Sequence, residues 1–336
     1  MDSPRKKAKA AVTPSPPDSA SLKIGRSGLR NEIASGRDVK DGWTKEQWAE
    51  LGRSYRARAT LSKRHGDAHC GFPSAPPALL ASLPKDQLLG TVYLTDSVLL
   101  YLYTFFCEEQ SGGRVRTFPY AESESLRSFV RTRWESEMRH AVDDRRRDLA
   151  KGMIGLMYLI EAVICYHLSS EQFIHLGRRG RELSVAATTN PSPGSGSSTS
   201  SPPNVGPSPA SSDSFPPDFL PLITSSTATS YRAQNYLLSS RHHLSLRLLR
   251  TRFPATYEHA INSELSDEPL PAPGDSLGSA RRIDPNHPER FAWPIELGMV
   301  GPVAHVVSFG RCLIKEAVEG EGKEWDGRLG EKEENR

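Results

Sequence analysis

The chain has 336 residues, a hydrophobic fraction of 37%, 26 prolines and 26 glycines, a composition of folded segments joined by stretches too poor in apolar side chains to offset chain entropy. Its 43 Lys and Arg against 40 Asp and Glu leave a net charge of +3, which excludes a general drive toward nucleic acid but leaves local basic clusters able to bind it. Cys70, Cys107, Cys165 and Cys312 follow no disulfide or metal-ligand spacing, as expected of free thiols in a reducing compartment.

Residues 1–42 read as a polar, unpatterned tail. No apolar core follows its charges, so a secretory signal is not expected. Arg5, Lys6, Lys7 and Lys9 form a basic cluster of the kind that nuclear import receptors read, with a solvated tail as the alternative. A first helical block is expected over 43–183. Thr44 and Gln47 have capping-box spacing, and Trp48, Leu51 and Tyr55 follow on one face beside Arg53, Arg56 and Arg58. This helix is expected to run to Arg64 and stop at Gly66. A proline-bearing loop and a short turn over Ala78–Leu83 lead to Thr91–Cys107, a run that is apolar or aromatic almost throughout and carries one acid, Asp96.

A helix apolar on nearly every face belongs inside a bundle or a membrane. This run is shorter than a bilayer span and holds an aspartate, so it is expected as the central core helix, with no membrane contact. Tyr120 to His140 has a second amphipathic period. A charged elbow over Asp143–Asp148 then precedes Met153–Leu168, another apolar run with one acid, Glu161. One or two further turns, Glu171 to Leu183, close the block. Residues 184–229 are rich in Ser, Pro and Thr and read as a disordered linker, with Ser192, Ser201 and Ser208 as proline-directed phosphorylation candidates. Helical signal resumes over 230–319. Tyr231, Tyr236, Leu244 and Leu248 lie on one helix to Arg252, Ala255–Leu265 forms a short helix, and His305–Val318 is the last one. Residues 320–336 form a charged tail. The predicted fold is all-α, a helical bundle or helical-repeat-like array with long disordered insertions.

Catalytic and cofactor motifs are not apparent: there is no phosphate-binding glycine loop, zinc-protease helix, calcium loop or nucleophile elbow. His65, His69 and Cys70 could touch a metal, but no fourth ligand stands near them, and surface histidines are the plainer reading. Asp96 and Glu161 each need a partner, because a lone buried carboxylate is costly. Arg58, Lys63 and Arg127 are the basic candidates, and the acids read as structural; the rival is an interior acid pair in an enzyme pocket. The aromatic and arginine-bearing stripes of Trp48, Leu51, Tyr55, Tyr231, Tyr236, Leu244 and Leu248 are candidate partner-binding residues, although the same stripes would also close the core.

Lys63 with Asp67, Leu94-Thr95-Asp96-Ser97-Val98-Leu99-Leu100-Tyr101, Tyr120-Ala121-Glu122 with Leu126, and the apolar helix around Met153–Leu168 together resemble the C-terminal homology domain of super elongation complex scaffolds and their fungal counterpart, the ELL-binding protein. The likeness covers about 44–183 and, less clearly, the C-terminal helices; the long 184–229 insertion departs from the compact pattern. The resemblance implies a nuclear, non-enzymatic subunit of a transcription elongation assembly, without cofactor. Its helical domain would dock an ELL-type elongation factor or form a homodimer, with nucleic-acid contact left open. A generic helical adaptor and, less favoured, a helical enzyme are the alternatives.

Overall fold

A computed structural model describes residues 43–112, 117–189, 219–263, 265, 280, 282–292 and 303–329. The elements are α1 (Lys45–Cys70), α2 (Pro77–Ser82), α3 (Gln87–Gly112), α4 (Thr117–Glu122), α5 (Glu124–Arg139), α6 (Asp144–Thr189), α7 (Phe219–His243), α8 (Leu246–Arg252), α9 (Pro254–Ile261) and α10 (Val303–Gly320). The fold is all-α, with no strand among the described residues.

α3 is the centre, buried on every face from Thr91 to Leu100. α1 runs antiparallel along it, with Gly52 beside Cys107 and Gly66 beside Gly90. Hydroxyls tie the pair together: Ser62 donates to the Tyr93 carbonyl at 2.9 Å, and Ser97 donates to the Ala59 carbonyl at 2.8 Å. α5 closes a second side, where the buried Trp134 indole donates to Thr95 at 2.9 Å. On a third side α10 lays Gly310 against Leu99 and Leu156, joining α3 to α6. By length and composition alone, α3 and α6 could each cross a membrane, yet their apolar windows are 89% and 83% buried by protein. They are core helices of this bundle.

The helix ends correct several expectations. The Thr44 capping box is present, with Thr44 N–H donating to Gln47 at 2.8 Å. α1, however, passes through Gly66 and stops at Gly71, whose φ of +73° is a left-handed cap that glycine adopts without steric cost. The amphipathic stretch after Gly113 breaks into α4 and α5 at Ser123. The charged elbow, the Met153–Leu168 run and the turns after it are one 46-residue helix, α6, roughly 70 Å long at 1.5 Å per residue. Asp143 caps it, its Oδ1 accepting the Arg146 N–H at 2.7 Å.

Both ends of the 184–229 stretch expected as linker are helical. Residues 184–189 belong to α6, and α7 begins at Phe219 instead of Ser230. In that early part of α7 the hydroxyls of Thr224, Ser226 and Thr229 donate to carbonyls four residues back, each at 2.9 Å, so Ser and Thr sit in a helix without stranded donors. Ser226 and Thr229 are buried; packing on α6 overrides a weak propensity. The helix expected to reach Arg252 breaks at Leu244, and Ser245 caps α8 by accepting the Leu248 N–H at 3.2 Å. Residues 190–218, with Ser192, Ser201 and Ser208, lie outside the described residues, as do the basic cluster Arg5, Lys6, Lys7 and Lys9 and residues 293–302.

The chain after α10 does not fray at once. Lys323 pairs with Asp86, the Asp326 N–H reaches the Tyr93 hydroxyl at 3.3 Å, and Trp325 lies against the Arg311 guanidinium at 5.3 Å. The irregular segment before α10 is pinned as well, with Tyr55 donating to Asp284 at 2.8 Å and Tyr103 to the Ile283 carbonyl at 2.9 Å.

One buried group of α10 gives a pH dependence. His305 accepts the Ala292 N–H through Nδ1 at 3.0 Å, and burial lowers its pKa from 6.5 to about 4. The unfolded chain therefore takes up this proton more readily than the fold does. The His305 contribution is complete above pH 6.5 and is lost as pH falls toward 4, by at most about 3 kcal/mol. Urea denaturation at pH 7 and pH 4.5 is expected to show His305→Gln with a shallower pH dependence than the parent chain. Equal slopes would remove His305 from the account.

Candidate interaction surface

The two buried acids occupy separate sites, each matched to its own arginine. Asp96 accepts from Arg311 Nε at 2.8 Å and from the Ser62 hydroxyl at 3.1 Å, with both charged side chains 2% exposed. Arg311 also donates to the Pro285 and Gly327 carbonyls. Of the expected partners, Arg127 does meet one of the acids, Glu161, whereas Arg58 and Lys63 meet neither. Arg58 donates to Asn286 at 2.6 Å and to the Gly327 carbonyl at 3.1 Å, and Lys63 pairs with Asp67 one turn along α1 at 2.7 Å. Arg127 holds Glu161 in a two-point pair, Nε to Oε1 at 2.9 Å and Nη2 to Oε2 at 3.2 Å, while Nη1 donates to the Tyr120 carbonyl at 2.7 Å. Each acid thus locks a long-range helix contact.

The histidines near the end of α1 are not both on the surface. His69 is buried, stacks on Tyr93 with centroids 5.5 Å apart, and hydrogen-bonds the Pro84 carbonyl at 2.8 Å. Cys70 is buried beside it, and burial raises its thiol pKa. Among the described residues no group of three metal-ligating side chains converges.

Most of the candidate partner-binding residues face inward. Trp48, Tyr55, Leu244 and Leu248 are buried, and Leu51 and Tyr236 are half-buried against the same core. Trp48 meets Phe106 edge-on, and Tyr55 meets Tyr103 likewise. Leu244 fits against Gly155 so closely that a Cβ at 155 would lie 2.5 Å from it. A charge at Leu248 would therefore act on this chain's own core. Tyr231 alone of the seven is exposed.

What sequence reasoning missed is the hairpin of α6 and α7. The helices run antiparallel: Gly155 touches Leu244, Tyr158 stacks near Tyr236, and Ser230 lies across from Tyr166 and Phe173. Near Gly155 the hairpin is part of the core, but farther along α6 the helices cover little beyond each other. Phe173 and Ile174 remain 51% and 52% exposed, and Leu220, Tyr231 and Leu238 of α7 are more exposed still. Between the helices runs a shallow groove of about 550 Å³, lined on α6 from Tyr166 to Arg181 and on α7 by Ser230. Comparison with known protein families, with curated proteins and with solved structures returns no match. The surface must be read from its own chemistry.

The signal for it lay in Phe173, Ile174 and Leu176, a short apolar cluster inside an otherwise polar stretch. A polar depression of about 820 Å³ lies beside Lys315, Glu319 and Trp325. Its floor is Arg311, already committed to Asp96 and to two carbonyls.

Proposed function

We propose that this chain is a non-enzymatic helical interaction module of a nuclear transcription elongation assembly, docking an ELL-type factor. The observation that carries the docking role is the α6–α7 hairpin, which leaves Phe173, Ile174, Leu220, Tyr231 and Leu238 uncovered on two paired helices. Large apolar side chains left exposed together are what a partner buries. The elongation context comes from the resemblance of the Asp96, Tyr120 and Met153–Leu168 elements. The structural reading of the acids supports a scaffold over an enzyme, since Asp96 and Glu161 are each neutralised by an arginine.

The test is a pull-down of purified ELL-type factor by the full-length chain, with light scattering of the chain alone across a concentration series. Capture of the factor, at a stoichiometry that scattering resolves, is the expected result. A strict monomer that captures no such factor would set this reading aside in favour of a generic adaptor.

A further inference from the structure

We propose that the groove along the α6–α7 hairpin receives an acidic amphipathic helix of a protein partner, about four turns long. This rests on the reading that the hairpin is the docking surface, and adds the chemistry of what docks there.

The groove has the periodicity of a helix-binding site. Tyr166, Ser170, Phe173, Ile174, Gly177 and Arg181 recur at intervals of three and four, so one face of α6 forms the floor and Ser230 of α7 the facing wall. Outside the groove's lining, α7 exposes Tyr231 and Leu238, seven residues apart on one face. A partner helix with apolar residues at i, i+3 or i+4, and i+7 matches such a surface.

Charge selects the partner's sign. From Phe219 to Arg252 the chain carries Arg232, Arg241, Arg247, Arg250 and Arg252 and no Asp or Glu. Among the described residues, Arg252 finds a carboxylate, Asp148 at 2.7 Å, whereas no carboxylate pairs with Arg241, Arg247 or Arg250. Arg181, at the far end of the groove, likewise has no carboxylate partner among the described residues. Arg241, exposed on α7 between the two rings that Tyr158 meets, Tyr236 and His243, lies beyond the Tyr166 end of the groove. Tyr166 and Arg181 are fifteen residues apart on one helix, about 22 Å. A partner helix of similar length, with carboxylates near both ends and apolar residues between them, would meet both arginines and cover the floor.

The same features weigh against other occupants. A two-fold contact between copies would bring two acid-free, arginine-bearing α7 surfaces together. Nucleic acid would satisfy the arginines but gains its affinity from phosphate contacts, leaving the aliphatic Ile174 and Leu238 without a counterpart.

A library of random 16-residue peptides displayed on phage and selected on the full-length chain tests this, followed by polarisation titrations of the winning synthetic peptides. The expected winners carry apolar residues at helical spacing with Asp or Glu toward both ends. Ile174→Glu is expected to weaken them about tenfold or more, as for a central anchor. The Arg181→Glu/Arg241→Glu pair is expected to shift preference to peptides with Lys at those ends. Both variants change exposed groups, and their helical circular dichroism should match the parent. Absence of enrichment, winners without acids, or winners indifferent to Ile174→Glu would overturn the proposal. So would a dimer of the chain that Ile174→Glu dissociates, or displacement of the winners by a single-stranded oligonucleotide alone. If the chain captures an ELL-type factor and still does so with Ile174→Glu, the docking function stands and only this groove is wrong. Acidic winners without capture of the factor would support the groove and refute the assembly.

Discussion

Asp96→Ala is expected to lower the unfolding free energy by about 3–5 kcal/mol, and Arg311→Met by a similar amount, because each leaves one buried charge without its counter-charge. Both side chains are 2% exposed, so water cannot replace the lost partner. Asp96→Asn should cost less: a carbonyl oxygen can still accept from Arg311 Nε, although the compensation of charge is gone. The double change Asp96→Leu/Arg311→Met should be milder than the sum of the single changes, since it removes both charges together. Arg311→Met should also loosen the chain after α10, because the Trp325 ring loses its guanidinium and the Gly327 carbonyl keeps only the one from Arg58. Urea denaturation followed by circular dichroism measures the first effect, and limited proteolysis after Lys323 the second. Single substitutions that each cost under about 1 kcal/mol would show the pair to be incidental to the fold.

That pair also marks how far the sequence can be read. Asp96 inside an apolar helix announces that a partner must exist, but nothing local names a residue 215 positions away. The available sign was Arg311 itself, a lone charge among Val306, Phe309, Leu313 and Ile314, which poses the same question from the other side. Arg127 was within reach as the partner of Glu161 because its helix precedes α6 and has one apolar face. The central position of α3 was legible for a simpler reason: a helix apolar all round has nowhere else to go.

The hairpin was harder to read. Between Asp144 and Thr189 there is no proline, so the division after Leu168 followed a change of polarity rather than a breaker. In α7 the opposite signal misled, since Ser and Thr resemble linker until their hydroxyls close onto the preceding turn. Aromatic anchors look alike whether they face a core or a partner. Trp48 and Tyr55 proved to be core, while Phe173, outside the expected stripe, is exposed.

Gly66 gives the second large effect, and its sign depends on packing that a sequence cannot display. As a helix-interior glycine it should be improvable, because Gly→Ala in an open helix gains up to about 1 kcal/mol. At the α1–α3 crossing, however, a Cβ on Gly66 would lie 2.7 Å from Leu94 Cγ and 2.9 Å from the Gly90 carbonyl oxygen. Across the same contact, a Cβ on Gly90 would lie 2.5 Å from Cys70 Sγ and 3.0 Å from the Gly66 carbonyl oxygen. Backbone atoms cannot rotate away as a side-chain end can, so the helices must separate, at a typical cost of about 1–3 kcal/mol or more. Gly66→Ala is therefore expected to destabilise despite its better propensity, and Gly66→Val to do so strongly. Gly180 supplies the control, since a Cβ there meets nothing within 4 Å. Gly180→Ala should raise the melting temperature by a few degrees while Gly66→Ala lowers it. Thermal melts of the two alanine variants beside the parent chain decide the matter, and a rise in both would mean that α1 and α3 do not cross through these glycines.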